Sequence, residues 1–258
     1  MTLAGDHVAD WRPVRTNELQ QTCRLGPNAV HVWRFSLDDP PHPHSLLAAY
    51  LSADERARAA RFVFERDRRR FESGRGLVRA VLGAYLGREP ATLRFDYGTA
   101  GKPELVHDDH EHNVAFNVSH SQAWGLVGVT GLGPIGVDLE IVRNIADIDD
   151  IARQNFSSGE IEALLAMPEP DRLGAFIRCW TCKEAYVKAL GAGLSTPLGG
   201  FEVSVAEGEP ASLRSIEGSG DAASPWTLWG FQPQPDAWAA VAVRGRGLEL
   251  FAYDLLGG

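Results

Sequence analysis

Hydrophobic and polar residues alternate along several short segments of the chain. Alternation over residues 28–37, NAVHVWRFSL, predicts a first β-strand, and shorter strands are predicted at 111–118, 123–130 and 135–142. After residue 200, four more segments alternate in the same way: FEVSV, WTLWGF, WAAVAV and LELFAY. We expect these four segments to form one antiparallel sheet, because alternation is typical of strands with one buried face.

Two helices are predicted in the first half of the chain. Ser52 followed three residues later by Glu55 is a capping box, which predicts a helix from there through an arginine-rich segment to Phe71. Apolar residues at helical spacing between 77 and 85 predict a second helix that ends near Gly87.

The strongest helical pattern begins after Pro170 and ends at the glycines 191 and 193. Its apolar residues form one stripe that we expect to face the core: Leu173, Phe176, Ile177, Trp180, Val187 and Leu190. Glu184 projects into this stripe, and Lys183 and Lys188 flank it. A carboxylate among apolar residues is costly without a compensating cation, so the pattern favours a buried ionic or metal site. The alternative is a solvated pair of Glu184 with Lys188, worth about 0.3–0.5 kcal/mol.

Strands and helices alternate without a regular β-α-β rhythm, so we expect an α+β fold. A loop, DDPPHPHS, follows the first strand, and weaker helical signals over 147–165 break near Ser157. A chain of 258 residues with 44% hydrophobic content can bury a core as one large domain or two small ones. The sequence shows no secretory signal and no apolar run of the roughly 20 residues that a membrane span needs, so we expect a cytoplasmic protein.

The charged residues argue for a small anionic ligand. The net charge of −9 is unlike that of a general nucleic-acid binder, yet arginines concentrate between residues 51 and 80. Among 25 lysine and arginine residues only three are lysines: Lys102, Lys183 and Lys188. Lysine is a compact, titratable point charge, whereas the guanidinium is a planar fork. We interpret the three lysines as positions near a phosphate or a proton transfer, where arginine is a poor substitute.

The three cysteines, Cys23, Cys179 and Cys182, are too few and odd in number for a disulfide framework. Cys179 and Cys182 form a C-W-T-C motif, which raises a redox or zinc alternative. A redox pair is expected where a helix begins and a zinc site needs further ligands at matching spacing, whereas this pair falls within the strongest helix. We therefore place this alternative last.

Two carboxylates share one face of the predicted strand at 135–142. In the motif GVDLE, Asp138 and Glu140 alternate with apolar residues, so they project to the same side, roughly 6.5–7 Å apart. Carboxylates at that distance repel each other unless a cation lies near them. Together with Glu184 they form a set of oxygen ligands that suits Mg²⁺ or Mn²⁺.

Two further motifs carry groups that can bind phosphate. In FNVSHS, residues 116–121, the side chains of Ser119, His120 and Ser121 can donate hydrogen bonds to phosphate oxygens, and we expect a turn between strands to expose them. In GKPEL, Lys102 precedes Pro103, which fixes the local backbone and can present the lysine to a phosphate or a base edge.

The order and spacing of GKPEL, FNVSHS, GVDLE and WTCKEAYVKALGAGL resemble the 4′-phosphopantetheinyl transferases. The chain is similar to their long, surfactin-synthetase-activating (Sfp-type) class over roughly residues 51–200. The resemblance implies transfer of the phosphopantetheine arm of coenzyme A to a serine of an apo carrier protein, with release of 3′,5′-ADP. It implies a monomer of two similar α+β subdomains related by a pseudo-twofold axis, with the active site in the cleft between them. The expected subdomains are residues 1–134, with the coenzyme A nucleotide contacts, and 135–258, with the carboxylates and catalytic helix.

Site residues follow from the resemblance position by position. The implied Mg²⁺ ligands are Asp138, Glu140 and Glu184. The implied coenzyme A contacts are Arg58, Arg70, Lys102, Pro103, Ser119, His120, Lys183 and Lys188. The chain departs from the family at Glu55, where some members have a lysine near the 3′-phosphate, and at Gln122, where glycine is frequent.

The chemistry that we expect is phosphoryl transfer, with Mg²⁺ neutralising the pyrophosphate, Glu184 as general base and Lys183 and Lys188 stabilising the departing nucleotide. Two alternatives stay open from the residues alone. One is another Mg²⁺-dependent phosphotransferase or pyrophosphatase, and the other is an inactive module that binds coenzyme A or a carrier protein. The resemblance implies a carrier partner of the peptidyl, polyketide or fatty-acid type, and these three stay open. We expect no nucleic-acid or membrane partner.

Overall fold

The computed structural model describes residues 10–98, 101–106, 114–191, 193, 196–206, 208–217 and 225–257. The strands of this part are β1 (Arg12–Arg15), β2 (Ala29–Ser36), β3 (Phe95–Tyr97), β4 (Pro103–Leu105), β5 (Ala115–Ser121), β6 (Trp124–Thr130), β7 (Ile135–Ile141), β8 (Phe201–Val203), β9 (Leu213–Ile216), β10 (Trp226–Gln234), β11 (Ala237–Arg244) and β12 (Glu249–Leu256). The α-helices are α1 (Leu19–Thr22), α2 (His44–Tyr50), α3 (Ala53–Ala59), α4 (Glu65–Leu86), α5 (Ile148–Asn155), α6 (Ser158–Leu165) and α7 (Glu169–Leu190). This mixture confirms the predicted α+β class.

Four layers make up the centre of the molecule: α4, a five-stranded sheet, a three-stranded sheet and α7. The larger sheet has the order β1-β12-β2-β6-β5 and the smaller one β10-β11-β7. Alternate residues of β2 explain the layering, since Trp33 and Phe35 pack against α4 whereas Val30 and Val32 face the smaller sheet. Two short sheets, β3-β4 and β8-β9, lie outside these layers.

A glycine lets α7 approach the smaller sheet closely. A Cβ atom added at Gly136 of β7 would lie 1.9 Å from the carbonyl oxygen of Ala185 in α7. Any side chain there would force the helix off the sheet. The glycine of the GVDLE motif therefore sets the distance between the strand that carries the carboxylates and the helix that carries Glu184.

The last strand does not join the predicted C-terminal antiparallel sheet. The predicted segment 248–253 falls largely within β12, which lies between β1 and β2 and pairs parallel to both. The other three predicted segments also divide, because β8 pairs with β9 while β10 and β11 pair next to β7. The predicted division at 134/135 thus separates β12 from the sheet that contains it, and the pseudo-twofold relation of the halves stays a prediction.

The helices of the first half differ from the prediction. The capping box of Ser52 and Glu55 is present, but its helix ends at Ala59 rather than near Phe71. After a turn, α4 carries both the arginine-rich segment and the apolar residues 77–85, and it ends at Gly87, as predicted. The sequence reading missed α2, which begins inside the predicted loop, and β1, which precedes the predicted first strand.

The helices of the second half follow the prediction more closely. Two helices occupy 147–165 with Ser157 as the N-cap between them, and α7 ends at Gly191, which adopts a left-handed φ of 69°. The predicted core stripe of α7 is only partly right. Leu190 is 42% exposed, and the face against the smaller sheet instead carries Cys179, Cys182 and Ala185.

Among the described residues, no helix has the length and apolar character needed to cross a membrane. The predicted strand at 111–118 lies partly outside the described residues, and its described part belongs to β5, which extends to Ser121.

Candidate active site

A cleft between α4 and α7 contains two neighbouring cavities along β5. The larger, of about 1120 Å³, is lined by α7, β5 and the turn before β4. The smaller, of about 480 Å³, is lined by α3, α4 and β5. Pro103 and Val118 line both cavities. The two neighbouring cavities can therefore accept one ligand whose two ends differ in chemistry.

The strand β7 presents its two carboxylates toward α7. Val137, Leu139 and Ile141 enter the core between the sheets, so Asp138 and Glu140 share the opposite face, as the alternation predicted. Asp138 is buried, and its Oδ1 accepts hydrogen bonds from Lys188 Nζ at 2.6 Å and Ser119 Oγ at 3.1 Å. Its Oδ2 is also buried and accepts no hydrogen bond within the described part of the chain.

Burial and mutual repulsion raise the pKa of two carboxyl groups in this cleft. Burial raises the pKa of Glu140 and of Glu184, and the negative charge of Asp138 raises both further. The ammonium of Lys188 opposes this effect at both groups. An excess of negative charge with too little compensation is the condition under which a cation binds well.

The predicted convergence of the three carboxylates on one point is absent. Within the described residues, no three His, Cys, Asp or Glu side chains are close enough to hold a metal ion together. Instead, the Lys188 ammonium pairs with Asp138, which satisfies one of the repelling charges. The residues nevertheless fit a hard divalent cation, because all three are oxygen donors and the orphaned Oδ2 of Asp138 lacks a partner.

The helix α7 places Glu184 and Lys188 one turn apart on the wall of the larger cavity. Trp180 and Val187 line the cavity beside them. Glu184 is thus half-buried at the cleft, and the expectation that it projects into the middle of a core stripe is wrong. The physical reason is that the deepest face of the helix is the neighbouring one, which packs on β7 and β11.

Lys183 occupies the core position instead, and the structure contradicts its predicted contact with coenzyme A. Its side chain is fully buried, with Nζ 2.7 Å from Glu160 Oε2. The same ammonium donates hydrogen bonds to the carbonyl oxygens of Leu198 and Phe201, at 2.8 and 2.6 Å. Three oxygen partners inside the protein leave this lysine with a structural role.

Ser119 and His120 lie within β5, not in an exposed turn. Ser119 is buried against Asp138, whereas His120 points the other way and lines the smaller cavity. His120 is exposed as a whole, but partial desolvation of its imidazole in this cavity, followed by the charges of Lys188 and Arg58, lowers its pKa below the ordinary value. The turn follows at Gln122, whose φ of 51° lies in the left-handed region that glycine favours.

The smaller cavity brings together cations from α3 and α4. Arg58 lies 5.3 Å above the ring of Phe71, and Arg70 donates two hydrogen bonds of 2.6 Å to Asp38. Phe71 and Arg75 also line this cavity, and the sequence reading missed them. Their spacing in the sequence indicated it, because Phe71 and Arg75 lie one helical turn apart and Phe71 is next to the predicted contact Arg70.

Glu55, a departure from the family pattern, and Lys102, a predicted contact, both bind groups of the protein itself. Glu55 is buried, and its carboxylate accepts hydrogen bonds from Arg75 and Arg79 at 3.0 and 2.7 Å. The Lys102 ammonium donates to the carbonyl oxygens of Ile135 and Lys188, at 3.0 and 2.8 Å, so it joins the turn before β4 to β7 and α7. Lys102 thus lines the larger cavity. Its ammonium binds backbone carbonyl oxygens, whereas the sequence predicted that it would contact a phosphate or a base edge.

The C-W-T-C motif is not a redox site. Cys179 and Cys182 are buried thiols in the middle of α7. Burial raises the pKa of the Cys179 thiol well above its ordinary value, so the reactive thiolate is disfavoured.

Two family models match the chain. The model described as "4′-phosphopantetheinyl transferase, N-terminal" matches residues 39–130, and that described as "4′-phosphopantetheinyl transferase superfamily" matches residues 134–243. The two matches together include the cleft residues of α3, α4, β5, β7 and α7.

Curated relatives agree with the family models. The chain is 43% identical to the 4′-phosphopantetheinyl transferase HetI of Nostoc sp., over 84% of this chain and 89% of that protein. It is 34% identical to the 4′-phosphopantetheinyl transferase ffp of Bacillus subtilis, over 66% of this chain and 74% of that protein. It is 32% identical to the 4′-phosphopantetheinyl transferase Sfp of Bacillus subtilis strain 168, over 60% of this chain and 66% of that protein. The cleft brings carboxylates, a lysine and a cation-lined cavity together, and the family models and relatives match most of the chain. The chain therefore belongs to the 4′-phosphopantetheinyl transferase family of enzymes.

Proposed function

We propose that this enzyme transfers the 4′-phosphopantetheine arm of coenzyme A to a serine hydroxyl of an apo carrier protein, with release of 3′,5′-ADP and dependence on Mg²⁺. The observation that carries the proposal is the juxtaposition in one cleft of a cation-lined cavity with the buried Asp138, the half-buried Glu184 and Lys188. The names of the relatives support the transfer, since each is a 4′-phosphopantetheinyl transferase.

The smaller cavity suits the nucleotide end of coenzyme A. Arg58 and His120 line it and offer donors to the 3′-phosphate, while Phe71 offers an aromatic ring to the adenine. A phosphate near His120 would favour the protonated imidazole, which burial and neighbouring cations now disfavour. Glu55, which stands where some family members have a lysine, is already paired with Arg75 and Arg79, so its negative charge is compensated within the protein.

The pyrophosphate then lies near the carboxylates and Lys188. Asp138, Glu140 and Glu184 are the residues that would hold Mg²⁺, which neutralises the charge of the pyrophosphate when bound. Lys188 is held beside Asp138 and Ser119, and it donates to the phosphate oxygens of the departing nucleotide.

Glu184 accepts the proton of the attacking serine hydroxyl, directly or through a water. In the metal-free protein, burial and the charge of Asp138 raise its pKa, so its carboxylate takes up a proton more readily than that of an ordinary glutamate. Its place on the wall of the larger cavity leaves it accessible to an incoming hydroxyl.

The test follows 3′,5′-ADP by chromatography after the enzyme is mixed with coenzyme A and Mg²⁺. We expect nucleotide release only when an apo carrier domain is also present. A carrier whose acceptor serine is replaced by alanine is the matched control. Nucleotide release without any carrier would replace the proposal with a hydrolase or pyrophosphatase.

The proposal extends to a monomer that acts in the cytoplasm. The three cysteines are buried thiols, which is compatible with a reducing compartment. Light scattering at working concentration tests the monomer, and a panel of peptidyl, polyketide and fatty-acid carriers tests which type is modified fastest.

A further inference from the structure

The edge strands of the two main sheets meet without backbone pairing. β5 pairs with β6 in the larger sheet and β7 pairs with β11 in the smaller one, and no ladder joins β5 to β7 in the described chain. β7 is nevertheless buried, so the N–H groups that it directs away from β11 need acceptors.

Side chains of β5 provide those acceptors at every second residue. Asn117 Oδ1 accepts from the N–H of Val137 at 2.8 Å. Ser119 Oγ accepts from Leu139 at 3.2 Å, and Ser121 Oγ accepts from Ile141 at 3.2 Å. We call these three side chains the polar ladder. It joins the two sheets in a fixed register, because the period of the ladder equals that of the strand.

The two serines of the polar ladder each have one hydroxyl proton left to donate. Ser119 Oγ donates to Asp138 Oδ1 at 3.1 Å, and Ser121 Oγ donates to Glu140 Oε2 at 3.3 Å. Each hydroxyl is therefore fixed by a backbone amide on one side and directed at a carboxylate on the other. The amide that each serine binds follows directly after the carboxylate residue on β7. Each serine therefore contacts two consecutive residues of that strand.

We propose that Ser121 is a positioning residue for Glu140, and that it prepares this carboxylate for a divalent cation. The inference rests on the proposed function, which assigns Mg²⁺ to Asp138, Glu140 and Glu184. It differs from the sequence-based expectation that Ser121 donates to substrate phosphate, because its donor is directed at Glu140. Losing a partner that orients a metal ligand weakens metal binding by roughly tenfold or more.

The test measures the affinity for Mn²⁺ by electron paramagnetic resonance, with and without coenzyme A. We expect Ser121→Ala to weaken Mn²⁺ binding about tenfold. We expect Ser121→Thr, which keeps the hydroxyl, to stay within about twofold of wild type. Ser215→Ala is the matched control, because Ser215 Oγ also donates to a glutamate on a neighbouring strand, Glu202, in the separate β8-β9 sheet. We expect it to leave Mn²⁺ affinity unchanged.

Amide hydrogen exchange gives a second readout that does not depend on activity. In Ser121→Ala the N–H of Ile141 loses its acceptor, so its exchange should accelerate by about tenfold or more, while the N–H of Val137, held by Asn117, should be unchanged. Accelerated exchange across all of β7 would mean general loosening, and it would overturn the specific role of Ser121.

The outcomes separate this inference from the proposed function. Mn²⁺ binding by wild type that Ser121→Ala leaves intact would overturn the positioning role alone. Absence of Mn²⁺ binding by the folded wild-type protein, even with coenzyme A, would overturn the metal assignment and the positioning role together. Weaker binding by Ser121→Ala, restored in Ser121→Thr, would support both.

Discussion

Glu184 is the residue on which the proposed chemistry depends most. Its carboxyl group is half-buried, and its pKa is raised by burial and by Asp138. We expect Glu184→Gln to lower transfer by about 100- to 10,000-fold, because the amide cannot accept the proton. The melting temperature should be unchanged or higher, since the substitution removes a repelling charge. Normal turnover by the folded variant would contradict the assigned role.

The buried His31 makes stability depend on pH. Burial lowers its pKa from 6.5 to about 4, and its Nδ1 lies 2.7 Å from the Tyr85 hydroxyl. Between these pH values the unfolded chain binds more protons than the folded one. The free energy of unfolding should therefore fall as the pH drops from 6.5 to 4, by about 3 kcal/mol from this group.

Urea titrations of wild type and His31→Gln at pH 7 and pH 5 isolate this contribution. The glutamine variant does not titrate but keeps a polar group for Tyr85, so its stability should fall less between the two pH values. Equal losses in both proteins would show that His31 is not the source.

Residue chemistry was predictable where it depended on local alternation, and less so where it depended on packing. The shared face of Asp138 and Glu140 follows from the period of a strand alone. The roles of Lys183 and Glu184 do not, because the helical wheel places Glu184 within the apolar stripe and Lys183 at its flank, the reverse of their burial in the fold. Only the position of the sheet decides which of the two is buried.

At the scale of the elements, the pair of Lys183 and Glu160 joins α7 to α6 and to the strand after it. Glu160 also accepts a hydrogen bond from the N–H of Val203 at 2.8 Å. We expect Lys183→Met to lower the free energy of unfolding by about 3–5 kcal/mol, because it leaves a buried carboxylate unpaired. The KM for coenzyme A should be unchanged in the folded fraction at low temperature.

Lys188→Met is the comparison for that measurement. Lys188 lines the cleft, so we expect Lys188→Met to raise the KM for coenzyme A and to lower the rate of transfer. A rise in KM for Lys183→Met as large as that for Lys188→Met would restore the sequence-based assignment of Lys183 to the pyrophosphate.

Element boundaries were predictable where a residue forces them. The left-handed glycines 87 and 191 end α4 and α7 at the predicted places. The break between α3 and α4 was missed because the residues there, Arg61–Phe64, carry no proline or glycine. A capping box marks where a helix begins but does not say where it ends.

At the scale of the whole molecule, β12 ties the end of the chain to its beginning. Ala252 of this strand is buried between the two sheets. We expect Ala252→Asp to lower the free energy of unfolding by about 3–4 kcal/mol, because it places a charge in an apolar core. Glu249→Lys at the exposed first residue of the same strand should change it by less than about 0.5 kcal/mol. Denaturant unfolding measures both, and equal effects would contradict a central position for β12.

The position of β12 could not be predicted from local sequence. Its alternation indicates a strand, but the partners of that strand, β1 and β2, lie more than 200 residues away along the chain. The cleft was predictable only through the family resemblance, since its walls come from α3, α4, β5 and α7.

The central claim is metal-dependent transfer of a phosphopantetheine group to a carrier protein. The most direct measurement is intact-protein mass spectrometry of an apo carrier domain incubated with the enzyme, coenzyme A and Mg²⁺, with an EDTA control. We predict a gain of one phosphopantetheinyl mass that EDTA abolishes. No gain on peptidyl, polyketide or fatty-acid carriers by the folded enzyme would contradict the claim, and a gain that persists in EDTA would contradict its metal dependence.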